Sequence, residues 1–299
     1  MALRKLVVGV DFSPGSEVAV RRAAEVAAHH GAELVLVHAA TVPERPDVPD
    51  SMAATADAFV NILTKRLAAD RGQLGELRER LSAETGVTVS QLVIDAYPDD
   101  ALVQAAAETR ADLIVTGSRN RTGIRRWLLG SVAEHVVRRA ETDVLVARAG
   151  DPDRGFGRIV VGLDFSPGAT AALARAVELA QPGATIELVH AFQMPMLRPA
   201  PGADPALATD FQAFNDELMA DARARGDAAA SAHAGANVTF NFQIVEENPR
   251  EAVCDRAEQI GADLVAIGSH GRRGLRRLVL GSVAEATVRH APCSVLVAR

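Results

Sequence analysis

Two short motifs hold the side chains and glycines of this 299-residue chain that could do chemistry. The first is Val8-Gly9-Val10-Asp11-Phe12-Ser13-Pro14-Gly15, where an acid follows a branched apolar run; it recurs as Val161-Gly162-Leu163-Asp164-Phe165-Ser166-Pro167-Gly168. An ionised carboxylate at Asp11 or Asp164 could accept two hydrogen bonds from a ribose diol or one from an exocyclic amine. It could equally accept from its own turn, because Ser13-Pro14 and Ser166-Pro167 follow directly. At this stage both readings stand.

The second motif runs from Gly268-Ser269-His270-Gly271-Arg272 to Gly281-Ser282-Val283. Glycines at its two ends would let backbone N–H groups approach an anion closely. Ser282 is expected to open a helix, with Glu285 three residues on in capping-box spacing. The positive end of that helix would favour phosphate. The alternative is a capped helix after a flexible turn, but the glycine spacing together with the arginines favours a phosphate cradle. The first half carries the same motif as Gly117, Gly130, Ser131 and Val132, with Asn120 at the second glycine position and Arg121 after it. Asparagine tolerates positive φ better than most residues, although its side chain occupies space where a phosphate would lie. Neither half has a Gly-x4-Gly-Lys-Ser/Thr loop or a dinucleotide fingerprint after its first strand, which separates the chain from standard ATPases and NAD enzymes.

The first motif recurs 153 residues on (Val8 to Val161) and the second 151 residues on (Gly117 to Gly268), a difference of only two, so both halves carry the same elements in the same order. Branched apolar runs predict strands at Leu6–Val10, Glu33–His38, Val87–Ile94, Leu113–Thr116 and Val144–Ala147. Their counterparts are Ile159–Leu163, Thr185–His190, Val238–Val245, Leu264–Ile267 and Val295–Ala298. Ala-rich segments 16–30 and 169–180 predict helices. Several strand runs are continuously apolar, as parallel strands covered on both faces must be. The expected fold is α/β: two tandem doubly wound domains, 1–150 and 151–299, each with an open five-stranded mostly parallel sheet. Residues 149–157 read as the linker. Regions 41–84 and 192–234 differ between copies, each opening on prolines before a helix. Met194 and Met196 there read as packing side chains.

Both halves resemble the universal stress protein family over essentially the whole chain. Its nucleotide-binding members carry Gly, two residues, Gly, nine residues, Gly, then Ser or Thr; Gly268, Gly271, Gly281 and Ser282 match throughout, and the first half departs only at Asn120. The resemblance implies an adenine-nucleotide pocket, usually for ATP and in some cases with Mg2+. In it Asp164 would meet the ribose, Ala191 the adenine, and Gly268 the nucleoside. Gly271, Gly281, Ser282 and Val283 would face the phosphates, with His270 and Arg272 at the rim. Asp11, Ala39, Gly117, Asn120, Arg121, Gly130, Ser131 and Val132 would be the first-half equivalents. It also implies a pseudo-twofold pairing of the two halves within the chain, with a homodimer and a protein partner as further candidates. The function expected is a stress-response protein whose nucleotide controls conformation or interaction; slow hydrolysis, self-phosphorylation and a ligand-free scaffold are the alternatives.

Composition bounds the remainder. Thirty-two Lys+Arg against 38 Asp+Glu give a net charge of −6, no global reason to expect a nucleic-acid partner, and aromatics at 4% offer little for base stacking. The arginines at 119, 121, 125, 126, 272, 273, 276 and 277 read as loops beside phosphate. Cys254 and Cys293 are too few for a disulfide framework or a cysteine-based metal site; Cys254 aligns with Val103 of the first copy and reads as an apolar helix position, and Cys293 has no identifiable histidine partner for catalysis. His38 and His190 read as packed, neutral side chains. Asp11 interrupts the opening apolar run before it reaches signal-peptide length, and no run approaches the roughly 20 residues of a membrane span. A cytoplasmic protein, with no membrane partner, is expected.

Overall fold

The computed structural model describes residues 3–40, 44, 47–118, 129–148, 155–193, 205–271 and 280–299. These form two compact units, one drawn from residues 3–118 and 130–148, the other from 155–299. The seam at 149–154, and Met194 and Met196, lie outside the described residues.

In the first unit β1 (Lys5–Gly9), β2 (Glu33–Ala39), β3 (Val89–Ile94), β4 (Leu113–Gly117) and β5 (Asp143–Ala147) lie in the order β3-β2-β1-β4-β5. The second unit repeats this with β6 (Phe156–Gly162), β7 (Ala180–Phe192), β8 (Val238–Glu246), β9 (Leu264–Gly268) and β10 (Ser294–Ala298), ordered β8-β7-β6-β9-β10. Every strand pair within each unit is parallel. Helices α1 (Pro14–His30), α2 (Ala53–Thr85), α3 (Pro98–Thr109) and α4 (Ser131–Arg139) connect the first set. Their counterparts are α5 (Pro167–Leu179), α6 (Pro205–Ser231), α7 (Pro249–Ile260) and α8 (Ser282–His290). The apolar runs are buried without alternation: Leu6, Val7 and Val8 are fully inaccessible, as are Leu113, Ile114 and Val115, and Val295, Leu296 and Val297. Cys254 is buried on α7, and Cys293 is buried ahead of β10. Among the described residues no helix is long and apolar enough to cross a membrane.

The strand order fixes where a ligand can enter. β1 leads outward to β2 on one side, while the chain returns to lay β4 on the other, so the loops after β1 and β4 part at their carboxyl ends. In the second unit β6 and β9 stand in the same relation.

Three local expectations are corrected. The linker was expected to extend to residue 157, but Phe156 and Gly157 belong to β6. Phe156 is buried, and the Gly157 amide donates to Asp263 Oδ2 at 2.8 Å. β7 begins at Ala180, well before Thr185, because Pro182 prevents α5 from continuing and the chain passes directly from Leu179 into strand pairing with Phe156. β3 begins at Val89 because α2 runs to Thr85 and ends on Gly86 at φ +68.

Candidate functional site

At the end of β1 the chain makes a tight turn that its side chains stabilise. The Ser13 amide donates to Asp11 Oδ1 at 2.9 Å, and Ser13 Oγ then caps α1 by accepting from the Ser16 amide at 3.3 Å. The second copy is the same: Ser166 N to Asp164 Oδ1 at 2.9 Å, and Ala169 N to Ser166 Oγ at 3.2 Å. Such a cap contributes about 1 kcal/mol. The turn-acceptor role of both aspartates is therefore real, and it engages one carboxylate oxygen in each. Partial burial pushes the Asp11 carboxyl up, but the hydrogen bonds from Ser13 and Ser16 outweigh it and hold the group below its usual value.

The turn forces the intervening phenylalanine into the left-handed region, at φ 58 for Phe12 and φ 62 for Phe165. Such a conformation costs on the order of 1–3 kcal/mol and persists only where surroundings fix it. Ring packing does so here: Phe12 lies 5.4 Å from His38, and Phe165 lies 4.7 Å from His190. In the second copy the Arg225 guanidinium of α6 also stacks over Phe165 at 4.2 Å. The histidines are anchored through Nδ1, 2.7 Å from the Val10 carbonyl in His38 and 2.6 Å from the Leu163 carbonyl in His190. They brace the turn, as packed side chains were expected to.

Glycines bring the second loop onto the first. A Cβ on Gly117 would fall 2.3 Å from the Gly15 carbonyl oxygen, and one on Gly268 would fall 2.5 Å from the Gly168 carbonyl carbon. These two glycines are required by backbone contact between the end of β4 or β9 and the start of α1 or α5, a structural reason independent of any ligand. Gly271 differs, since its Cβ would lie 2.7 Å from Asp164 Oδ2. The loop after β9 thus passes directly over the carboxylate. The Gly281 amide donates to Ser269 O at 2.8 Å, closing the loop beneath the start of α8.

The helix start corrects the capping-box expectation. Gly281 is the N-cap, at φ −63 and ψ 147, and no side chain caps α8; Gly130 does the same for α4. Ser282 and Ser131 are the first helical residues, one position too far along for a capping box. The uncapped N-terminal amides of α4 and α8 consequently face the cavities beside them.

Two cavities result. The first, about 290 Å3, is lined by Asp11, Ala39, Gly117, Gly130, Ser131 and Val132. The second, about 970 Å3, is lined by Asp164, Ala191, Gly268, His270, Gly271, Gly281, Ser282 and Val283. Asn120, Arg121 and Arg272, and the other loop arginines, lie outside the described residues. Sequence reasoning missed the apolar wall: Pro98 and Leu102 of α3 in the first cavity, Pro249 and Val253 of α7 with Phe192 in the second. The matched positions of Pro98 and Pro249 in the repeat were the signal available. His270 Nε2 is buried with no hydrogen-bond partner among the described residues, while its Nδ1 lies 3.0 Å from Ser269 Oγ. The acids lining the second cavity are Asp164 and Glu285, the latter paired with Arg289 at 3.0 Å.

Comparisons with known proteins agree with this architecture. The universal stress protein family profile matches residues 2–148 and again 155–299. A universal stress protein of Mycobacterium tuberculosis is 30% identical over 298 residues, covering 98% of this chain and 96% of its own length. One from Mycolicibacterium smegmatis is 27% identical over 303 residues, with the same coverage. The crystal structure of a universal stress protein from Archaeoglobus fulgidus superimposes with a TM-score of 0.71 at 19% identity, over 99% of this chain and 98% of that one, and so shares the fold.

Proposed function

The chain belongs to the universal stress protein family, and from that premise we propose that its second domain, 151–299, binds an adenine nucleotide, ATP in the first instance. The observation that carries this reading is the approach of Gly271 to Asp164, which would leave 2.7 Å between an added Cβ and Oδ2. It puts a strand-end carboxylate and an uncapped helix N-terminus on one cavity of about 970 Å3. A ribose diol suits the first and a phosphate chain the second. Ala191, Val253 and Phe192 supply apolar surface for the base. Gly268 closes the nucleoside end, and His270 Nε2 is a polar atom for which a ligand would supply the hydrogen-bond partner. Arg272 is assigned to the phosphate rim from its place in the motif. Mg2+, where present, would be held mainly by the phosphates, since among the described residues no group of three His, Cys, Asp or Glu gathers around a point.

The first domain, 1–150, offers a smaller cavity in which Asp11 and Ala39 would meet the nucleoside and Gly117, Gly130, Ser131 and Val132 the phosphates; Asn120 and Arg121 are assigned to its phosphate rim from their places in the motif. Its affinity is placed below that of the second. Binding, with conformation or association as its output, is favoured over turnover. Asp164 is held in its turn and Glu285 is paired with Arg289, so neither lining acid is left as a general base for an attacking water. A ligand shifts such an equilibrium only by its differential affinity for the two states.

Titration of the full chain with ATP tests the assignment. Gly281→Asp puts a carboxylate at the helix N-terminus, and the affinity of the second site should fall by at least about a hundredfold through intrusion and phosphate repulsion. Unchanged affinity in a folded variant would remove the cradle.

A further inference from the structure

Phe165 joins the carboxylate of the second cavity to a helix that stands outside it. It follows Asp164 directly and holds φ 62, a value that bulky L side chains rarely adopt. Three elements of the second unit close around its ring. β7 brings His190 to 4.7 Å, β8 brings Phe242 to 6.5 Å, and α6 lays the Arg225 guanidinium over the ring face at 4.2 Å. Gly226, the next residue of α6, sets that approach, since a Cβ there would enter the Phe242 ring. The turn aims the Ser166 amide at Asp164 Oδ1, 2.9 Å away, and so fixes the carboxylate that lines the cavity. Arg225 is not among the residues lining that cavity. Its ion pair with Asp221, at 3.7 Å, is exposed on both sides and contributes little, so the stacked ring is its main anchor. The first copy braces its turn differently: Phe12 lies 5.4 Å from His38, and Asp70 of α2 stands 3.7 Å from His38 Nε2.

We propose that Arg225 is a positioning residue of the second cavity, holding Phe165 in its left-handed conformation and thereby keeping the Asp164 carboxylate aimed at the ribose of a bound nucleotide. The proposal rests on the nucleotide reading above and adds to it the source of ribose selectivity. Without the cation the ring loses one of its three walls, and the backbone at 165 relaxes toward negative φ. That turns the Ser166 amide away from Asp164, and the carboxylate gains rotamers that no longer meet a diol. The uncapped start of α8 is untouched, so contacts to the phosphates survive. The loss falls on the sugar.

Calorimetric titration of the full chain separates the two contributions, with ATP and its 2′,3′-dideoxy analogue as probes and Gly130→Asp in every protein to silence the first cavity. The parent should bind ATP at least about tenfold more tightly than the analogue, which offers the carboxylate no hydroxyl donor. Arg225→Ala should weaken ATP about tenfold, leave the analogue within about twofold, and keep the parent's circular dichroism. Arg225→Lys should recover most of the loss, because it keeps a cation for the ring face, and Arg225→Met should not. Glycine adopts positive φ without help, so in Phe165→Gly the further change Arg225→Ala should cost nothing. Equal weakening of both probes by Arg225→Ala would reveal a general structural role and overturn the proposal. So would an unchanged ATP affinity, or a loss that persists in Phe165→Gly, which would mean that Arg225 touches the nucleotide itself. A parent that binds both probes equally would remove Asp164 from the ribose and the proposal with it, leaving the phosphate cradle standing. One that binds neither would remove the nucleotide reading as well.

Discussion

The two cavities are built from the same turn, the same strand-end glycine and the same uncapped helix, yet one measures about 290 Å3 and the other about 970 Å3. What they share is the part that backbone contact enforces. Asp11 and Asp164 each accept from the serine two residues on, Phe12 and Phe165 each take a left-handed conformation, and Gly117 and Gly268 press on the starts of α1 and α5. What differs is the lining that no backbone contact dictates. Val253 stands in the second cavity where the first has Leu102, and Ile267 lines it where the first has Thr116; beside the turn and outside the cavity, α6 stacks Arg225 over Phe165. A duplicated chain can thus keep the frame of a site in both copies while its contents diverge.

The largest expected effect tests the shared frame. Gly117→Ala and Gly268→Ala would each drive a Cβ into backbone, and each should lower the unfolding free energy by about 2 kcal/mol in denaturant titrations. A loss in one copy only would show that the frames are not equivalent. Next comes the divergent position. Gly271→Asn gives the second copy the residue of the first and should weaken ATP binding by about tenfold, read by calorimetry, because its side chain would crowd Asp164. Unchanged binding would mean that Asn120 does not distinguish the sites.

The smallest effect is a pH dependence whose sign differs between two acids. The folded state holds the Asp11 carboxyl below its unfolded value, so its contribution to stability is complete above that value, near pH 4, and is lost as pH falls through the lowered one. Wild type should be slightly more stable than Asp11→Asn at pH 6, with the gap closing below about pH 4 in thermal unfolding. Burial raises the Asp263 carboxyl, only partly offset by the Gly157 and Arg158 amides, so its contribution falls as pH climbs above the usual carboxylate range. The gap at Asp263→Asn should therefore move in the opposite direction. Gaps that change with pH in the same direction at both positions would contradict these environments.

Much of this was legible in the sequence, for physical reasons. Continuous apolar runs such as Leu113–Thr116 leave no polar face, so parallel strands under two helical layers were the natural reading. The duplicated Asp-Phe-Ser-Pro-Gly segments marked the ends of β1 and β6, and the duplicated Gly-Ser-Val-Ala-Glu segments the starts of α4 and α8. The walls from α3 and α7 were not legible, because Leu102 and Val253 are ordinary apolar residues whose place at a cavity depends on helix packing far along the chain. Nor was the helix start, since serine and glycine in succession both suit an N-cap and only backbone geometry chooses Gly281 over Ser282. The left-handed Phe12 and Phe165 were not legible either, as nothing about phenylalanine invites positive φ and it is packing from distant residues, His38 in one copy and His190 with Arg225 in the other, that holds it there.

The most direct measurement is the identity and amount of nucleotide released when freshly purified full-length protein is denatured, by chromatography with mass detection. The account predicts ATP at about one per chain, lost in Gly281→Asp. No released nucleotide, followed by no saturable binding on titration with ATP, would contradict it.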